Sequence, residues 1–145
     1  MPVSQKMPTL IPYYTVENPE RAITFYEEAF GFHLLSEPSR GEDGSLLHVE
    51  MGYQDVVFMF CPEGTPEGTA GVKAKAPLSS TAPFPLTLYV YCPNVDDLYQ
   101  KAMAHGACSL EPPQDAFWGD RFCQLKDTEG YLWSFATPLP GSQEK

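Results

Sequence analysis

The sequence predicts an α+β fold built from two tandem β-α-β-β-β modules. Three observations predict it. Each half of the 145-residue chain opens on a β-branched and aromatic run and passes through one amphipathic helix that begins at an asparagine and ends at a glycine. FHLLSEP at 32–38 in the first half is echoed by ACSLEPP at 107–113 in the second. Between the halves, residues 62–84 are dense in Pro, Gly, Ala, Ser and Thr, the composition of a linker or a lid. The organisation expected is a single domain over 1–145, with a first module at 8–61 and a second at 85–138.

The elements follow in order. TLIPYYTV (9–16) reads as a strand. Asn18-Pro19-Glu20 supplies a helix N-cap followed by proline at the first helical position. Ala22, Ile23, Tyr26, Ala29 and Phe30 then form one apolar stripe, and Gly31 ends the helix. FHLLSEP is a second strand. A turn near Glu42-Asp43-Gly44 leads into SLLHVEM (45–51), and a turn at Gly52–Asp55 leads into VVFMFC (56–61). In the second half PLTLYVYC (85–92) is a strand, and Asn94 caps a helix whose stripe is Val95, Leu98, Tyr99, Ala102 and Met103. Gly106 ends that helix. ACSLEPP and runs at about 117–126 and 131–137 complete the module, with Asp127–Gly130 as a turn of ordinary Asp-first, Gly-last chemistry.

Composition removes several function classes. A net charge of −10 disfavours nucleic acid, which needs clustered Lys and Arg. The longest apolar run is VVFMFC, too short to span a membrane, and MPVSQKMPTL lacks the apolar run of a signal peptide. Cys61, Cys92, Cys108 and Cys123 form no CxxC pair and read as buried, reduced small hydrophobes, placing the chain in the cytoplasm. No P-loop, G-x-G-x-x-G or G-x-S-x-G motif is present.

NPERAITFYEEAFGF at 18–32, FWGDR at 117–121 and DTEGYLWSF at 127–135, set in a doubled module, resemble the vicinal oxygen chelate superfamily, and within it the PhnB-like branch. That superfamily includes glyoxalase I, extradiol dioxygenases and bleomycin-resistance proteins. The resemblance implies a curved mixed sheet forming a cup, helices outside it, and a homodimer. It also implies four metal-ligand positions, which fall here at Ile11, Met59, Thr87 and Ser134. Isoleucine offers no donor, thioether sulfur is soft, and neutral hydroxyls are poor sole ligands for a divalent ion. No metal site and no cofactor is therefore expected.

Strand alternation then selects the cup lining. If Ile11, Met59, Thr87 and Ser134 face the cup, so do Tyr13, Thr15, Val57, Cys61, Tyr89, Tyr91, Leu132 and Ala136. Counting back in twos along 117–126 adds Gln124, Phe122, Asp120 and Trp118, and turns Arg121 to the structural side unless Gly119 is a bulge. Glu50 shares a polar strand face with His48. The candidate ligand-binding set is Tyr13, Glu50, Tyr89, Tyr91, Trp118, Asp120, Phe122 and Gln124, suited to a cationic or aromatic organic molecule. The leading reading is a metal-free binding protein rather than an enzyme. Two alternatives stay open: a lyase, isomerase or transferase using unusual ligands such as His48 and Glu50, and a scaffold with no ligand.

Overall fold

In the computed structural model, residues 7–65, 75–77 and 86–141 are described. Most of the predicted linker or lid at 62–84, namely 66–74 and 78–84, lies outside the described residues. The elements are β1 (Tyr13–Val16), α1 (Pro19–Phe25) with a π-helical continuation (Tyr26–Phe30), β2 (His33–Leu34), β3 (Ser39–Arg40), β4 (Leu46–Tyr53), β5 (Val56–Pro62), β6 (Thr87–Tyr91), α2 (Val95–Ala104), β7 (Cys108–Asp115), β8 (Asp120–Lys126) and β9 (Leu132–Pro138). They form two open mixed sheets. The first runs β1-β5-β4-β2, with β3 also on β4, and the second runs β6-β9-β8-β7. In each, the module's first strand pairs in parallel with its last, and the other strands are antiparallel. This is the doubled β-α-β-β-β order read from the sequence.

Both helix starts follow the local chemistry. The Asn18 side chain accepts from Arg21 N at 3.0 Å, and the Asn94 side chain accepts from Asp97 N at 3.1 Å. Gly31, at φ 78°, takes the left-handed conformation that closes the first helix.

Several strands depart from expectation: the run predicted over 9–16 is strand only from Tyr13 to Val16, and in two others proline marks the departure. The predicted run 32–38 pairs with β4 at His33 and Leu34, adds one bond from Leu35 N to Glu50 O at 3.0 Å, then leaves it and rejoins at Ser39. Pro38, without a backbone donor, sits in the break. Its counterpart β7 stays continuous, but its register slips between Ser109 and Glu111 and again between Glu111 and Gln114, around Pro112 and Pro113. The run expected from 117 begins as strand only at Asp120, because Ala116–Gly119 makes a turn with Gly119 at φ 96°.

The sheets share one core. Phe58 of β5 and Trp133 of β9 meet with ring centroids 5.6 Å apart, and Tyr14 of β1 meets Tyr131 at 4.6 Å. Tyr26 and Phe30 of the first helix pack against Trp133, and Phe30 also against Phe135. The helix-bearing faces of the two sheets are thus turned toward one another. By strand alternation, the opposite faces lie on the far sides of that core. Of the cysteines, Cys61, Cys92 and Cys123 are buried free thiols, while Cys108, at the start of edge strand β7, is exposed. Among the described residues no helix is long and apolar enough to cross a membrane.

The Asp127–Gly130 turn does more than its turn signature foretells. The Asp127 carboxylate, 5% exposed, accepts from Tyr26 Oη at 2.7 Å, Trp133 Nε1 at 2.8 Å, and the backbone N–H of Glu129 and Tyr131 at 2.8 and 2.9 Å. Burial pushes its pKa upward, while the bonds from Tyr26 and Trp133 oppose that shift. Glu129, fully buried, accepts from the backbone N–H of Glu17 at 2.6 Å and Asn18 at 3.1 Å, and from Arg21 at 3.2 Å. Tyr131 Oη donates to Thr15 O at 2.6 Å. A turn of the second module therefore satisfies orphan donors at the start of α1 and ties the modules together.

Candidate functional site

The outer face of the second sheet gathers six of the eight candidate residues. Register brings them together: Gln124 lies opposite Ser134 and Phe122 opposite Ala136, while Tyr89 and Tyr91 pair with Ser134 and Ala136 from the other side. Asp120, at the head of β8, sits opposite Pro138. The Gly119 turn does not shift the alternation, so Asp120 takes the outer face and Arg121 the inner one.

Tyr89 and Tyr91 both donate their hydroxyls to Oδ2 of Asp120, each at 2.8 Å. Trp118 Nε1 donates to the Tyr89 oxygen at 3.0 Å. Asp120 is fully buried beneath side chains that are themselves open: Tyr89, Tyr91 and Trp118 are 40%, 48% and 41% exposed. The Trp118 ring lies 5.2 Å from Phe122 and 5.0 Å from Phe117, and the two tyrosine rings meet edge to face at 5.7 Å. Partial burial and the hydrogen bond to Asp120 push the Tyr89 phenol up to about 12, and the bond to Asp120 raises Tyr91 as well. Both therefore stay neutral at physiological pH.

Further along the face, the Gln124 amide reaches Ser134 Oγ at 3.4 Å, and Ser134 Oγ lies 3.1 Å from Thr87 Oγ1. Two of the four family ligand positions thus hold hydroxyls bonded to each other, a third holds Met59, and Ile11 has nothing to donate. This donor set does not fit a divalent ion. Among the described residues no group of three or more His, Cys, Asp or Glu side chains gathers into a metal-holding cluster.

The remaining candidates, Tyr13 and Glu50, occupy the outer face of the first sheet. Glu50 pairs across to Met59, and Met59 to Tyr13. His48 Nε2 lies 3.1 Å from Glu50 Oε2, and the His48 ring packs edge-on to Tyr13 at 5.6 Å. A hollow of about 560 Å³ opens beside Tyr13 and His48, and Pro62–Thr65 also line it. Within one chain the two candidate groups are separated by the shared core.

Arg121 is a structural clamp. Its guanidinium grips both carboxylate oxygens of Asp96 at the start of α2, at 2.8 and 3.0 Å, and Asp115 of β7 at 3.0 Å. The bonds to Asp96 and Asp115 raise its pKa further, and Asp96 is lowered by Arg121 in return. Sequence reasoning missed the buried acceptors Asp127 and Glu129, which the turn pattern hides.

The family model described as the glyoxalase/bleomycin resistance protein/dioxygenase superfamily matches residues 9–135. An uncharacterized protein of Mycobacterium bovis, Mb0911c, is 30% identical over 132 residues, 91% of this chain and 84% of that one. Among solved structures, TioX from Micromonospora sp. ML1 superposes with a TM-score of 0.70 at 25% identity, over 94% of this chain and all of its own. A Bacillus cereus PhnB protein, described as a putative 3-demethylubiquinone-9 3-methyltransferase, superposes with a TM-score of 0.61 at 18% identity, over 90% of this chain and 99% of its own.

Proposed function

The chain belongs to the glyoxalase/bleomycin resistance protein/dioxygenase superfamily, and from that premise we propose that it is a metal-free binding protein for a small organic molecule, held on the tyrosine-lined outer face of its second sheet. The observation that carries this reading is the convergence of Tyr89, Tyr91 and Trp118 on and around Asp120. Exposed aromatic rings over a buried carboxylate make an apolar surface with a few fixed polar groups, the usual composition of a ligand site. The cysteines as free thiols suit a cytoplasmic setting.

The second half of the cup comes from a second copy. Tyr13, His48, Glu50 and Met59 lie across the core from Asp120 in the same chain, so a closed cup requires the first-module face of one protomer over the second-module face of its partner. The protein is accordingly a homodimer with two equivalent cups, an isologous assembly in which each chain gives one half to each site.

Two variants test both parts. Ligands are first found by thermal shift across a library of aromatic and cationic compounds, where true binding raises Tm with concentration. Tyr13→Ala removes a first-face wall, and Asp120→Asn a second-face anchor. Each alone weakens binding of the best compound. Mixing the two and allowing protomers to exchange restores one intact cup per mixed dimer. A monomer in sedimentation equilibrium, or mixtures no better than their parents, contradicts the shared cup. A library that never shifts Tm contradicts the binding function.

A further inference from the structure

The hydrogen-bond directions on the second face specify what its occupant must offer. A phenol has one proton to give and two lone pairs to accept with. Tyr89 and Tyr91 both spend that proton on Oδ2 of Asp120, at 2.8 Å each. Trp118 Nε1–H, at 3.0 Å, fills one lone pair of the Tyr89 oxygen. What remains toward the open side is acceptor capacity alone: one lone pair on Tyr89 and two on Tyr91. Neither hydroxyl can turn to donate without abandoning a buried carboxylate, which would cost roughly the desolvation of that group. Asp120 adds negative charge directly beneath, and the Trp118 and Phe122 rings, 5.2 Å apart, add faces that attract cations. Among the described residues, Arg121 next to Asp120 in the chain is turned to the other face and engaged by Asp96 and Asp115. The overall charge of −10 favours approach of a cation as well.

We propose that the Trp118–Tyr89–Asp120–Tyr91 array reads hydrogen-bond donors, and that its occupant carries an N–H-bearing cation, a primary ammonium, amidinium or guanidinium, beside a planar ring. This rests on the reading of the second face as a small-molecule site and adds the polarity of its ligand. A carboxylate, phosphate or carbonyl group meets only acceptors here and is refused. A quaternary ammonium keeps the charge but has no N–H to offer the tyrosine oxygens.

Three probes that share one ring and chain length separate these cases: 2-phenylethylammonium, its N,N,N-trimethyl analogue and 3-phenylpropionate, titrated into the 145-residue protein with Trp118 fluorescence as readout. The expected order is the primary ammonium, then the trimethyl analogue weaker by about tenfold, the worth of one hydrogen bond to a charged group, and no saturable binding of the carboxylate. Asp120→Asn reverses the code. The amide NH₂ donates to one tyrosine oxygen, that hydroxyl is released to donate outward, and 3-phenylpropionate gains binding while the ammonium loses it. Tyr91→Phe, which keeps Asp120 and its bond to Tyr89, lowers affinity for the primary ammonium but hardly changes that for the trimethyl analogue. Equal affinity of the wild type for ammonium and carboxylate, or for primary and quaternary ammonium, overturns donor reading and leaves the cup as a binding site. Failure of all three probes to register at millimolar concentration overturns the small-molecule site and donor reading with it.

Discussion

Replacing Asp127 by Asn is expected to destabilise the protein by about 2–4 kcal/mol. The carboxylate accepts four hydrogen bonds, two at Oδ1 from the backbone N–H of Glu129 and Tyr131, and two at Oδ2 from Tyr26 and Trp133. An asparagine can keep its oxygen on the two backbone donors. Its NH₂ then faces the Tyr26 hydroxyl and the Trp133 indole. The hydroxyl can rotate to accept, but the indole N–H is a donor only. Trp133 is 1% exposed, so no water replaces the lost acceptor. An unsatisfied buried donor costs roughly 1–3 kcal/mol, and the loss of charge-assisted bonds adds about another 1–2 kcal/mol. Relief of the buried charge offsets part of this, since burial already pushes Asp127 toward its neutral form. For a chain of this size a loss of that order lowers Tm by roughly 5–15 °C. Urea unfolding at neutral pH, with unchanged m-value, is the assay. A stability within about 0.5 kcal/mol of wild type, the range of neutral surface changes, would refute the role of this carboxylate as the acceptor joining the modules.

Other expectations follow from the same contacts. Arg121→Ala removes the exposed clamp on Asp96 and Asp115; it costs little stability, and the cost shrinks at high salt, as a denaturation series at two ionic strengths will register. The Tyr89 phenol has a folded pKa raised from 10.0 to about 12, so the stability it contributes is complete below pH 10 and is lost as pH rises from 10 to about 12; ultraviolet titration should find a late-ionising tyrosine that ionises earlier in Asp120→Asn yet stays above an ordinary phenol, because burial, the larger cause of the shift, remains. Calorimetric titration with Zn²⁺ or Mn²⁺ should yield no stoichiometric binding, since Ile11, Met59, Thr87 and Ser134 present no adequate donor set, and a tight one-to-one isotherm would reverse that conclusion. Gly52→Ala should destabilise, because a Cβ there meets Leu35 Cδ2 at 3.0 Å and the Val56 carbonyl oxygen at 3.1 Å, the latter unable to move without disturbing the hairpin.

Much of the fold was legible because its signals are local. Asn18 and Asn94 cap because their side chains reach an N–H three residues away, and glycines end both helices for conformational reasons. Alternation along β8 correctly assigned Asp120 to one face and Arg121 to the other. What alternation cannot supply is the partner across the gap. It placed Tyr89, Tyr91 and Asp120 on one face without their convergence on a single oxygen, which depends on the β6–β9–β8 register. Glu129 reads locally as a turn residue, yet its acceptors serve backbone 111 and 112 residues earlier. The separation of Tyr13 and Glu50 from the other candidates was likewise hidden, because it follows from how two sheets stack and not from any one strand. The broken run at 32–38 turned on where Pro38 falls relative to pairing with β4, which periodicity does not encode.

The two tryptophans offer the most direct test of the binding face. Trp118 lies at the candidate site and Trp133 in the shared core. Their indole N–H groups give two separate signals in a ¹⁵N-labelled protein, assigned with Trp118→Phe. Titration with 2-phenylethylammonium should move the Trp118 signal saturably while the Trp133 signal stays in place. A Trp118 signal that never moves, or two signals that drift together without saturation, would contradict a small-molecule site built on Tyr89, Tyr91, Trp118 and Asp120.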